Sequence, residues 1–365
     1  MPSESFSDIE IKGSCRGFIL LHCSSAFYLW NPSTGLHKKI PLSPFRFDLD
    51  EDSEYFYGFG YDQLTDDYLI VSISYDIIPP YLEFFSLRAN TWKQIDSTHI
   101  HHSYANEDLC TTGTLFNGAI HWFAYCLDLQ EGVIVVFDLV ERKLLDMHLP
   151  DEFDFDLEYF GLWIFQEFLS LWAKNYDNDT VDIWVMKEYK VHSSWIKTHV
   201  LPIDAIPTKY ISPLCSTKSG DIVGTDDRTR LVKYNDEGQL LGCRSYCNNR
   251  YEFEVAMYTE SLLSLPRDNA ANPEYSAESN SNASKFQLIT VSVWFIFLRW
   301  KTWLTYSFIA ILLPRNEGIF DGRVGDPSEL LDDIMMLSWK WYLSDTKAVH
   351  FCWKFRLHCG PPPSA

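Results

Sequence analysis

The densest group of potential metal ligands in the sequence is His99, His101 and His102, with Asp96 and Glu107 close by along the chain. Imidazole and carboxylate are zinc donors, but a structural zinc site wants two ligand pairs at set separations, and no cysteine pair lies near these histidines. The group reads as a solvated loop, and no metal is expected there. Cys243 and Cys247 are separated by three residues, which is neither the two-residue redox spacing nor a zinc knuckle, so they read as ordinary thiols. Carboxylates crowd residues 48–52 and 151–156. General acid/base chemistry needs two carboxyls held in different environments, whereas a run of like charges is normally a solvated loop. No phosphate-cradling loop, GxSxG elbow or HExxH helix occurs. The sequence therefore assigns no catalytic residue, no metal and no cofactor.

Charge narrows the partners instead. The 365 residues carry a formal net charge of -20. Residues 1–268 hold 21 Lys+Arg against 41 Asp+Glu, and the remainder holds 9 of each, so the acidic excess belongs to the first part. Such a surface repels phosphate backbones and anionic lipid, which argues against nucleic acid and favours a basic or neutral protein partner. The nine cysteines are odd in number and show no recurring paired spacing, as expected of reduced thiols in the cytoplasm or nucleus. The first residues lack a basic and then apolar leader, so no secretory signal is read there, and Asn178-Asp179-Thr180 and Asn282-Ala283-Ser284 are not expected to be glycosylated.

The elements that must position any site form a repeat. A short apolar strand recurs at residues 17–21, 68–73, 119–123, 168–172 and 221–224, at a spacing close to 50 residues. Each is followed by a strand, a tight polar turn and another strand. In the first unit these are Phe27-Tyr28-Leu29-Trp30, the turn Asn31-Pro32-Ser33-Thr34-Gly35, and then residues 36–40. Aromatic and β-branched residues alternate at period two, and no long stretch keeps a 3.6 period, so the units read as twisted antiparallel sheets. Units of this length match propeller blades. The expected fold is all-β and propeller-like, with about six blades. The partial sixth unit, residues 251–258, is expected to close the ring with strands from the chain's start, and part of that closing blade is expected to be missing. Trp30, Trp92, Trp122, Trp172, Trp184 and Trp195 stand at alternating positions and are assigned to the core between blades.

The character changes after Pro266. Residues 267–285 read as a linker rich in Asn, Ala, Ser and Glu, and residues 286–365 as an atypical aromatic tail, non-native to the domain and irregular or helical. Residues 286–313 are apolar enough to suggest a membrane span, but Arg299 and Lys301 fall at the middle, each costing about 2.5–3.5 kcal/mol on insertion scales. A membrane partner is therefore not expected.

Three ordered motifs carry a family resemblance over residues 11–266. Gly13-Ser14-Cys15-Arg16-Gly17-Phe18-Ile19-Leu20-Leu21, with Leu29-Trp30-Asn31-Pro32-Ser33-Thr34-Gly35, is the first. Tyr57-Gly58-Phe59-Gly60-Tyr61-Asp62, with Thr65-Asp66-Asp67-Tyr68-Leu69-Ile70-Val71, is the second, and Asn117-Gly118-Ala119-Ile120-His121-Trp122 the third. Together they resemble the F-box associated domain of plant F-box/kelch-repeat proteins. The resemblance implies a non-enzymatic module that binds a target protein for ubiquitination in an SCF-type ligase. The family's F-box, which docks the ligase adaptor, has no counterpart in these residues, so adaptor binding is expected only if an F-box is supplied. The Gly-Gly doublets of true kelch repeats are also missing. The alternatives are a propeller enzyme and a membrane-anchored interaction protein.

Binding is expected on the loops gathered at one end of the propeller. The longest are 43–56, 96–109 and 148–158. Phe45, Phe47, Tyr55, Tyr104 and Phe155 are the expected exposed anchors, with the acidic residues steering a basic partner.

Overall fold

The computed structural model describes residues 9–23, 26–34, 36–45, 55–74, 81–96, 102–103, 112–126, 130–153, 159–217, 219–226, 230–245, 254–259, 261–263, 289–301, 306–313 and 351–359. The chain folds as successive antiparallel sheets. Blade 1 holds β1 (Ile9–Cys15), β2 (Phe18–Cys23), β3 (Ala26–Trp30) and β4 (His37–Pro41). Blade 2 holds β5 (Tyr55–Asp62), β6 (Asp67–Ser74), β7 (Leu82–Ser86) and β8 (Thr91–Ile95). Blade 3 holds β10 (Thr114–Phe116), β11 (Ala119–Cys126), β12 (Glu131–Asp138) and β13 (Lys143–His148), with the two-residue β9 (His102–Ser103) paired to β11. Blade 4 holds β14 (Phe160–Phe165), β15 (Phe168–Asn175), β16 (Thr180–Met186) and β17 (Trp195–Pro202), and blade 5 holds β18 (Ser212–Ser216), β19 (Ile222–Asp226), β20 (Arg230–Tyr234) and β21 (Leu240–Ser245).

These five blades are meanders in chain order, as the repeat implies. A sixth antiparallel sheet has the order β22 (Glu254–Thr259), β24 (Tyr306–Leu313), β23 (Ile289–Lys301) and β25 (Phe351–Cys359). Two expectations are corrected here. The sixth unit does not recruit the chain's start, because β1 pairs with β2 inside blade 1. The tail is not helical or irregular at 289–301, 306–313 and 351–359 but supplies the partners of β22; its β-branched and aromatic composition favours strands as readily as an apolar helix. Among the described residues no helix is long and apolar enough to cross a membrane.

The first strands of the sheets touch in ring order, β1 to β5, β10, β14, β18, β22 and back to β1, so the ring closes at its inner strands. The inner strands of blades 2, 3 and 4 are packed on both faces. Strand β6 shows what this does to a sequence: Leu69, Val71 and Ile73 pack toward blade 3, while Tyr68 and Ile70 pack toward blade 1. The core is accordingly a series of apolar slabs, each held between neighbouring blades. Trp92, Trp122, Trp172, Trp184 and Trp195 lie in these slabs, Trp30 is buried, and several also donate to a neighbouring blade. Trp92 Nε1 donates to the Pro41 carbonyl at 3.0 Å, Trp122 Nε1 to Tyr57 at 3.0 Å, and Trp195 Nε1 to His148 at 3.2 Å. Tyr234 repeats the device between blades 5 and 4, donating to the Pro202 carbonyl at 2.6 Å.

Short turns link the first strand of a blade to its second and the third to its fourth, and all of them lie on one face. Their polar residues act as caps. The Oδ1 of Asn31 accepts from the Ser33 and Thr34 amides, that of Asp62 from Leu64 and Thr65, and that of Asp138 from Val140 and Glu141. Arg142, at the end of the Asp138 turn, donates from Nη2 to Asp62 Oδ2 at 2.8 Å, tying blade 3 to blade 2.

The closing seam uses the first family-like motif. Asn31 is fully buried and donates from Nδ2 to the carbonyls of Ser261 at 2.9 Å and Leu263 at 3.0 Å, while the Ser14 hydroxyl donates to the Met257 carbonyl. Gly17 has φ +89°, and a Cβ there would meet the Ser261 Cβ at 2.1 Å, so the segment after β22 fits only against glycine. Asn31→Ala is expected to cost about 3 kcal/mol in denaturant unfolding. Asn31→Asp, which keeps the turn acceptors but loses the two donors, is expected to cost about 2 kcal/mol, separating closure from turn capping.

His121 of the third motif ties blade 3 to blade 4. Its ring nitrogens lie 3.0 Å from the Thr114 carbonyl and 2.9 Å from the Tyr189 hydroxyl, and burial pushes its pKa down to about 4. The unfolded chain takes up this proton near pH 6.5 and the folded protein near 4, so its contribution is complete above pH 6.5 and is lost as pH falls through that window. The stability difference between the wild type and His121→Gln, measured by denaturant unfolding from pH 7 to 4, is expected to shrink by about 3 kcal/mol.

Candidate functional site

The remaining connections, second strand to third and last strand to the next blade, emerge on the opposite face. The three long loops expected to bind, 43–56, 96–109 and 148–158, each fall on a connection from a last strand to the next blade, and of them residues 46–54, 97–101, 104–109 and 154–158 lie outside the described residues. Along the chain, Asp48, Asp50, Glu51, Asp52 and Glu54 fall between β4 and β5, and Asp151, Glu152, Asp154, Asp156 and Glu158 between β13 and β14.

The five expected anchors fare differently. Tyr55 opens β5 and is only 8% exposed, its ring 6.2 Å from that of Tyr57 in a stacked arrangement, so the expectation that it is an exposed anchor is corrected. Period-two pairing on β5 draws it into the slab between blades 1 and 2. Phe45 is half-buried against that same slab. Phe47, Tyr104 and Phe155 lie outside the described residues. So do His99, His101 and Glu107, and of His102 the backbone pairing with Cys126 is described. Cys243 is half-buried and unbridged, and Cys247 lies outside the described residues. Burial pushes the thiols of Cys15 and Cys215 up to about 12, which keeps both protonated and unreactive.

Sequence reasoning missed a second set of aromatics on this face. Tyr159 stands just before β14, Tyr176 opens the turn after β15, and Tyr210 lies just before β18. Tyr159 is 42% exposed and Tyr176 45%. The ring of Tyr159 lies 5.2 Å from that of Tyr210, edge to face, and 6.4 Å from that of Tyr176. Backbone and charge fix the loops that carry them. The Lys174 amide donates to the Tyr159 carbonyl at 2.9 Å and the Ile203 amide to the Asp179 carbonyl at 3.0 Å. Asn175 Oδ1 accepts from the Asp177 amide at 3.1 Å, and Lys209 Nζ reaches Asp179 Oδ2 at 2.6 Å, which raises the Lys209 pKa. The signal was legible in principle. Tyr159 directly follows the acidic run, and Tyr176 directly follows the Asn175 that caps its turn.

Comparison with known sequences gives a consistent answer. Residues 1–235 match the F-box associated beta propeller domain. The chain is similar to F-box protein CPR1 of Arabidopsis thaliana, at 26% identity over 78% of this chain and 75% of that protein. It is also similar to F-box protein At4g22390 of Arabidopsis thaliana, at 27% identity over 66% of this chain and 65% of that protein. A third relative, F-box/kelch-repeat protein At3g23880 of the same plant, is 26% identical over 62% of this chain and 61% of that protein.

Proposed function

The chain belongs to the family of F-box associated β-propeller domains, and from that membership we propose that its long-loop face recognises target proteins for ubiquitination by an SCF-type ligase. The observation that carries the reading is the division of labour between the two faces. Side chains of the short turns are engaged in capping and in ties between blades, while the longest connections, which carry the acidic runs in the sequence, start from strand ends on the opposite face. A rigid scaffold presenting variable loops on one side is the usual architecture of a recognition module. The charge of those loops favours a target with a basic surface, attracted over a distance set by ionic strength.

In this reading the domain is a non-catalytic component, and delivery to the ligase adaptor belongs to an F-box. The cellular site that follows is the cytoplasm or nucleus, where the buried thiols of Cys15, Cys126 and Cys215 stay reduced.

The test is a parallel pull-down of the full chain, with and without an F-box fused ahead of Met1, against the purified adaptor and a cell extract. Adaptor capture by the fused form alone, with the same further proteins captured by both forms, is expected. Changing Asp151, Glu152, Asp154, Asp156 and Glu158 to their amides should deplete those further proteins and leave adaptor capture by the fused form intact. Adaptor capture without the F-box, or an unchanged set of proteins after the amide changes, overturns the reading.

A further inference from the structure

Building on the reading that the long-loop face binds protein, we propose that Tyr159, Tyr176 and Tyr210 form a cage for an arginine side chain of the partner, and that Lys174 occupies this cage in the free protein. The three rings are mutually inclined, by 66° between Tyr159 and Tyr210 and by 43° between Tyr159 and Tyr176, so they form walls rather than a flat stack. Lys174 Nζ lies 4.4 Å from the Tyr176 ring centroid and 5.4 Å from that of Tyr159. Both distances are within the range in which a ring's quadrupole attracts a cation. Lys174 makes no ion pair among the described residues, although Asp177 and Asp179 belong to the next turn; Asp179 is spent on Lys209. In so acidic a protein, this ammonium is held by ring faces.

The cage is firm and open. Its floor is Trp172, buried and 6.0 Å from Tyr210, in space that Gly161 leaves free: a Cβ there would come within 2.6 Å of the Trp172 indole nitrogen. The loops are already tied together at Asp179, so little ordering cost remains for a ligand. The exposed faces of Tyr159 and Tyr176 are reachable from solvent, and the net charge of -20 draws positive charge toward the protein. Arginine suits the site better than lysine, because a planar guanidinium stacks on a ring, sheds water more readily and can still donate to nearby carboxylates. Lys174, on a flexible stem, can swing out as the guanidinium enters.

The probe is acetyl-tetra-arginine amide, titrated into the full chain by calorimetry, with the tetra-citrulline peptide as a neutral control of the same shape. The arginine peptide should bind and the citrulline peptide should not. Tyr159→Leu and Tyr176→Leu, at positions exposed enough to spare the fold, should each weaken binding about fivefold, while Tyr159→Phe and Tyr176→Phe keep it. Lys174→Met, which removes the internal competitor, should strengthen it several-fold. Equal binding by the Leu and Phe variants, or weaker binding by Lys174→Met, overturns the cage. If amide changes at 151–158 abolish target capture but Tyr176→Leu does not affect it, the cage falls and the recognition reading stands. If target capture survives the amide changes while the arginine peptide still needs the tyrosines, the recognition reading falls and the cage stands.

Discussion

The structure depends on one contact, the meeting of β1 with β22. An inner strand in this fold has neighbours on both sides: β6, for example, buries apolar side chains toward both of its neighbouring blades. Blade 1 can therefore be satisfied only if something covers the side away from blade 2, and that something comes from more than 200 residues further along the chain. Asn31 makes the arrangement specific. Its oxygen shapes the turn that ends β3, and its amide nitrogen holds the carbonyls of Ser261 and Leu263, so local folding of the turn prepares the long-range contact. Hydrophobic slabs give cohesion without register, and polar bonds of this kind supply the register.

The same economy runs around the ring. Aromatic residues fill the slabs and use their single polar atom on a carbonyl of the preceding blade, as Trp92, Trp122, Trp195 and Tyr234 do. A buried indole nitrogen or phenol is stabilised by an acceptor, which the carbonyls of Pro41, His148 and Pro202 at the ends of their strands and of Tyr57 within β5 provide in these four cases. Packing and hydrogen bonding thus reinforce the same blade-to-blade geometry. The Tyr159, Tyr176 and Tyr210 cluster inherits that rigidity, because the loops carrying these residues leave the sheets within one or two residues of paired strands.

Much of this was legible in the sequence. The five repeats, the all-β class and the inter-blade role of the tryptophans follow from period-two alternation and from turn residues such as Asn31 and Asp138, whose chemistry is local. The sixth sheet was not legible. Residues 289–301 and 306–313 are so uniformly apolar that periodicity cannot separate a strand from a helix, and their partners lie far away in the chain. Exposure in the loops was harder still. Tyr55 sits next to an acidic run and looks exposed, yet one residue decides whether a side chain joins the strand, and β5 begins with it. Tyr159 and Tyr176 were overlooked because their significance lies in being brought together with Lys174 and Tyr210 across two connections.

The separation of the two faces also bears on how this scaffold can diversify. Short turns whose side chains cap backbone amides and bridge blades tolerate few replacements, and a residue added to the Asn31 turn would shift the donor that closes the ring. A connection leaving the last strand of one blade for the first strand of the next is less restricted where no such ties hold it, since lengthening it costs only slowly growing loop entropy. Insertions, deletions and changes of charge can accumulate in those connections while the ring stays shut. A single framework can thus change what its loops present on one side while the bonds that close the ring stay intact on the other.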